Sequence, residues 1–119
     1  MDLAYTEQQL MLKNVIQDLL RRDLSKEALV DIDRGTGNFK ESWAALTSTG
    51  VLGSLIPEEF GGVGGSFMDT AVIYEELGKG PVAGPHFDSA VLGALLIIEA
   101  GTEAQKATLL PGIANGDRI

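Results

Sequence analysis

The sequence predicts an all-α domain of about six helices, and three observations carry that expectation. No stretch alternates with the period of two that marks a half-buried strand. Apolar residues instead recur three and four positions apart in one segment after another. Capping-box patterns and glycines stand where those segments begin and end. At 119 residues the chain is long enough for one compact domain with a real core, and too short for two.

The elements follow in order. Thr6 and Gln9 form a capping-box pattern, and Leu12, Val15, Ile16, Leu19 and Leu20 behind them lie on one helical stripe. Ser25 is placed to cap a second helix through Leu29 and Ile32, stopped by Gly35 and Gly37. A short third helix is expected over Lys40 to Thr49, with Trp43 and Leu46 on one face and Gly50 at its end. Ile56 precedes Pro57, which disfavours helix there, and Phe60 to Gly65 reads as a glycine-dense turn. A fourth helix is predicted from about Met68 to Leu77, capped by Ser66 or Asp69 and ended by Gly78 and Gly80. Pro81 to Pro85 reads as a loop. Asp88 or Ser89 then caps a fifth helix through Glu99, whose Val91, Leu92, Leu95, Leu96, Ile97 and Ile98 leave almost no polar face, the pattern of a helix buried on most sides. Thr102 and Gln105 open a last helix through Leu109 and Leu110, which Pro111 should disturb and Asn115-Gly116 should end. The chain stops just after that turn, as a cut at a domain boundary would.

Composition excludes several functions. Acidic residues outnumber basic ones 17 to 9, giving a net charge of −8, so the basic stripe that nucleic-acid phosphates require is missing. There is no cysteine, which removes disulfides, thiolate nucleophiles and Cys-ligated zinc and suits a reducing cytoplasm. The N-terminus lacks a basic start followed by an apolar run, so no signal peptide is read there. The most apolar run, Val91 to Ile98, falls well short of the roughly 20 residues that span a bilayer. The expected setting is cytoplasmic, with no membrane span and no nucleic acid.

Self-contained catalysis has little to work with. His86 is the only histidine, which leaves an imidazole zinc site or a Ser-His-Asp triad incomplete, and it reads as a loop histidine. Gly62-Val63-Gly64 would need a glycine at position 67 to resemble a dinucleotide fingerprint, and Phe67 stands there. No Lys-Ser/Thr follows as a phosphate loop requires. That glycine cluster reads as a tight connection between helices. Glu58-Glu59 and Glu75-Glu76 are sequence neighbours, about 100° apart on a helix, and read as surface charge. Glu99 ends the apolar helix, solvated or beside a pocket. No metal ligand set and no catalytic residue is identified. If the chain serves an enzyme, a cofactor or another domain carries the reactive group.

Ile56-Pro57-Glu58-Glu59-Phe60-Gly61-Gly62-Val63-Gly64-Gly65-Ser66, followed by Glu75-Glu76-Leu77-Gly78, resembles the N-terminal signature of the acyl-CoA dehydrogenases. So does Ala100-Gly101-Thr102-Glu103-Ala104-Gln105-Lys106 with Leu109-Leu110-Pro111 and Gly116-Asp117. The resemblance covers essentially the whole chain from Thr6 to Ile119. It implies that residues 1–119 are the family's orthogonal, bundle-like N-terminal helical domain, with a central β domain and a C-terminal helical domain outside this chain. It implies α,β-dehydrogenation of an acyl-CoA, a proton leaving Cα and a hydride passing from Cβ to FAD. The FAD would be bound mainly by the domains outside this chain, which also supply the glutamate base.

The same resemblance gives this domain one wall of the acyl-CoA pocket, around Phe87, Asp88, Val91, Leu92 and Leu95. Helical spacing lets the last four share a face, and ordinary packing explains the apolar ones equally well. A homo- or hetero-oligomer and an electron-transfer partner are further implications, within lipid metabolism. The Pro- and Gly-rich run Gly78 to Pro85 is more similar to an actinobacterial branch that acts on bulky acyl-CoA thioesters. Some subunits of that branch work without flavin-binding or catalytic residues beside a complete partner. A non-catalytic structural subunit is therefore the alternative to a catalytic one.

Overall fold

A computed structural model describes residues 3–22, 26–80 and 82–119. Among them the chain forms six α-helices and no strand: α1 (Glu7–Arg22), α2 (Lys26–Asp33), α3 (Lys40–Thr49), α4 (Phe67–Leu77), α5 (Ala94–Ala100) and α6 (Glu103–Ala114). The proposed caps and loop at Ser25 and Pro81 lie outside the described residues.

Three helices open with reciprocal capping. Gln9 donates its backbone N–H to Thr6 Oγ1 at 3.2 Å, and its side-chain oxygen accepts from the Thr6 N–H at 3.1 Å. Thr102 and Gln105 repeat this at α6, and Ser66 and Asp69 at α4. Each box satisfies amides that the first helical turn leaves orphaned. Asp69 also accepts from Gln9 Nε2 at 3.0 Å, tying the start of α1 to α4. The Ser66 backbone amide, followed by the Gln9 side chain, holds the Asp69 carboxyl below the usual carboxylate range. The end of α3 is equally local. Gly50 adopts φ +76°, the left-handed region that glycine enters at no steric cost, and its N–H returns to the Thr47 carbonyl at 3.1 Å.

Burial then assembles two cores. The larger joins Ile16 and Leu19 of α1, Trp43 and Leu46 of α3, and Ile73 and Leu77 of α4, with Val51 and Leu52 between. The smaller joins Ala94 of α5 to Leu110, Ile113 and Ala114 of α6, over Ile56. Trp43 Nε1 donates to the Gly116 carbonyl at 2.8 Å, linking α3 to the end of α6. Val15 sits at the margin of the α1 stripe and is exposed, unlike Ile16 and Leu19.

Four local expectations are corrected. Glu76 is not surface charge: it is fully buried while Glu75 is exposed. Its carboxylate lies 2.7 Å from both Lys13 Nζ and Lys79 Nζ and accepts from Gln17 Nε2 at 3.2 Å. Those donors, Lys13 foremost, pull its carboxyl down to about 2. Asp88 and Ser89 do not cap the fifth helix, because Phe87 is already helical (φ −67°, ψ −45°) and Asp88–Gly93 form a π-helical turn that runs into α5. The apolar fifth helix is not buried on most sides by this chain, since Leu92 is 53% and Leu96 68% exposed. Finally, α6 continues through Pro111 to Ala114. The proline deletes only one amide near the helix end, and the Asn115 N–H still reaches the Pro111 carbonyl at 3.1 Å.

Candidate functional site

The glycine-dense connection shows what its residues can hold. The amides of Val63, Gly64 and Gly65 donate to the carbonyls of Gly53, Ile56 and Ser54 at 2.8–2.9 Å. A Cβ on Gly62 would stand 1.9 Å from the Ile56 oxygen, and one on Gly65 2.8 Å from the Ser54 oxygen. Glycine is required here so that backbone can lie on backbone. The amides that a phosphate cradle would aim at a ligand are already used within the chain. These residues do not fit a flavin dinucleotide, and among the described residues no cluster of His, Asp or Glu fits a metal ion.

The π-turn is the other unusual element. An i→i+5 turn holds one residue more than an α-turn, is rare, and is frequently found at functional sites. It shifts the register of everything after it. Along an uninterrupted α-helix, Asp88 would share a face with Val91, Leu92 and Leu95. In the structure Val91 is buried, only 3% exposed, Leu95 is half-buried, and Phe87, Asp88 and Leu92 face outward. Spacings of five and then four align Phe87, Leu92 and Leu96 as one exposed apolar stripe. The same spacings align Asp88, Gly93 and Ile97 beside it, where they line a cleft of about 300 Å³.

That cleft is closed on its far side by Ile113 of α6 and by Arg118 and Ile119 beyond it, with Pro85 and Ser89 completing it. Sequence reasoning missed these partners because they come from a distant segment, Ser89 and Arg118 being 29 positions apart. Gly93, a lone glycine inside an apolar run, was the one available signal. A Cβ there would stand 3.2 Å from the Asp88 carbonyl. Ser89 Oγ lies 3.5 Å from the Arg118 carbonyl, and the Arg118 N–H donates to the Gly112 carbonyl at 2.9 Å. Glu99 is exposed at the helix end and does not line the cleft. The arrangement offers an apolar stripe with one carboxylate at its edge, and no paired acid and base. It can bind and orient an apolar group.

His86 is not an isolated loop residue. It lies at the helix entrance, half-buried, with Nδ1 3.1 Å from Tyr74 Oη. Burial lowers its pKa from the ordinary histidine value, against smaller opposing effects of the Val82 backbone and Asp88. Burial, and then the Asp88 charge, push the Tyr74 phenol up.

Residues 6–117 match the family described as "Acyl-CoA dehydrogenase, N-terminal domain". The chain is 33% identical to "Probable acyl-CoA dehydrogenase YngJ" of Bacillus subtilis (strain 168), over 100% of this chain and 32% of that protein. It is 45% identical to "(2S)-methylsuccinyl-CoA dehydrogenase" of Cereibacter sphaeroides, over 61% of this chain and 14% of that one. Among solved structures it is similar to a chain described under "Electron transferring flavoprotein of Acidaminococcus fermentans", with a TM-score of 0.79 and 27% identity, over 98% of this chain and 31% of the other. The chain thus spans about a third of the length of the full-coverage curated relatives it matches.

Proposed function

The chain belongs to the acyl-CoA dehydrogenase family, as its N-terminal helical domain, and from that premise we propose that it forms one wall of the acyl-group pocket in an FAD-dependent enzyme that α,β-dehydrogenates acyl-CoA thioesters. The observation that carries the reading is the exposed stripe Phe87–Leu92–Leu96 beside the cleft edged by Asp88. An apolar surface of this kind on one helix of a small domain is normally covered by a ligand or by protein. In this reading Phe87, Asp88 and Leu92 meet the acyl group, Leu95 flanks them, and Val91 supports the wall from the core side. The flavin, the base and the electron-transfer partner belong to the rest of the protein, which works as a homo- or hetero-oligomer in the cytoplasm.

The test uses the full-length protein. Purified, it should retain flavin, and anaerobic addition of its acyl-CoA substrate should bleach the oxidised flavin absorbance. Full-length protein that is colourless and inert toward a broad panel of acyl-CoA thioesters would instead make it the non-catalytic subunit of a heteromeric dehydrogenase.

A further inference from the structure

Tyr74, on α4, is the common neighbour of the two residues that open the fifth helix. Its ring lies 5.5 Å from that of His86, tilted by 31°, and 5.4 Å from that of Phe87, edge-on at 84°. Among the described residues the His86 ring is hydrogen-bonded at Nδ1 to the Tyr74 hydroxyl, at 3.1 Å, while the Val82 backbone acts on the imidazole only as a weaker influence that favours its charged form. A neutral imidazole offers one donor and one acceptor, and a phenol can donate. With Tyr74 as the donor, Nδ1 is the bare acceptor and the ring proton sits on Nε2. We infer that His86, held as its neutral Nε2–H tautomer, and Tyr74 form a positioning latch that docks the helix entrance onto α4 and so fixes the π-turn presenting Asp88 and Leu92. Only the last clause, what the π-turn presents them to, rests on the pocket-wall reading.

The latch has a defined failure mode. The groups acting on the imidazole among the described residues are Tyr74 from α4, the Val82 backbone from the preceding loop and Asp88 two residues along its own helix. Protonation turns Nδ1 into a donor, so the Tyr74 proton must rotate away and find another acceptor. Because the folded pKa lies below the unfolded value of 6.5, the latch is intact above that value and is lost as pH falls through the folded one.

The experiment exploits the fact that His86 is the only histidine in the 119-residue chain, so its ring signals in NMR need no assignment. The expected result is a pyrrole-like Nε2 and a pyridine-like Nδ1 at neutral pH, with amides of Asp88–Gly93 titrating at the same midpoint as the ring. Tyr74→Phe should raise that midpoint and shift those amides. His86→Gln, whose amide oxygen can accept from Tyr74, should keep the π-turn pattern without its pH dependence, and His86→Leu should lose the pattern. An Nδ1–H tautomer, or Tyr74→Phe leaving the midpoint and the amides in place, would overturn the latch. In the full-length enzyme His86→Leu should raise the acyl-CoA KM roughly tenfold with a smaller change in kcat, and His86→Gln should restore it. An unmoved KM with the NMR result intact would refute the pocket wall and leave the latch standing.

Discussion

Glu76 replaced by glutamine leaves Lys13, whose side chain is only 15% exposed, without its nearest counter-ion. Breaking a buried pair from one side typically costs 3–5 kcal/mol. Lys79 reaches water with about half its side chain, so a loss near the lower end, on the order of 3 kcal/mol, is expected and is measurable by urea unfolding. The pH dependence follows from the same contacts. The carboxyl titrates near 4.5 in the unfolded chain and about 2 in the folded one, so its stabilisation is complete above 4.5 and is lost as pH falls toward 2. Glu76→Gln should flatten that acid limb. The Glu75–Glu76 pair was illegible in the sequence because adjacent helical residues point about 100° apart, and nothing local says which of the two is buried against Lys13, 62 and 63 positions away. The glycine cluster was legible as a tight connection, since Phe67 in place of a glycine and the missing Lys-Ser/Thr ruled out both phosphate motifs. The close approach that makes Gly62 irreplaceable is a contact with Ile56, visible only in three dimensions.

Helix boundaries were largely readable because the interactions that set them are local. Thr6/Gln9, Ser66/Asp69 and Thr102/Gln105 close their boxes within three residues, and Gly50 ends α3 where expected. Thr102→Ala should therefore cost about 1 kcal/mol, the usual value of an N-cap hydroxyl. Its effect should appear as faster amide exchange in the first turn of α6, with α1 and α4 unchanged. The π-turn escaped prediction for the opposite reason. Whether an amide bonds four or five residues back is decided by how the helix seats on its neighbours, here Ala90 in the larger core and Ala94 in the smaller. The extra residue rotates Val91 inward and Leu92 outward, so a face drawn with α-helical spacing groups residues that the structure separates.

At the scale of the molecule, the domain is 42 × 36 × 19 Å. Its shortest dimension is roughly two helix diameters, so the two cores lie side by side in a thin body and much apolar surface stays uncovered. The sequence could announce an apolar fifth helix but not which part its own domain leaves bare, because that depends on where α6 crosses it. Among the described residues no helix is long and apolar enough to cross a membrane, so a lipid bilayer is not what covers the stripe as a span. Val91 and Leu92 are adjacent, similar in size and opposite in exposure, 3% against 53%, and so form a matched pair for the pocket-wall claim. Val91→Phe should overpack the core, costing about 1–3 kcal/mol of stability and lowering activity alike for every acyl length. Leu92→Phe should leave the melting temperature nearly unchanged and narrow the pocket. The decisive measurement is kcat/KM across an acyl-CoA length series for full-length protein carrying Leu92→Phe. Selective loss of long or bulky acyl groups, by roughly 10- to 100-fold relative to short ones, is the predicted result, and equal losses at every length would contradict a wall built on Leu92.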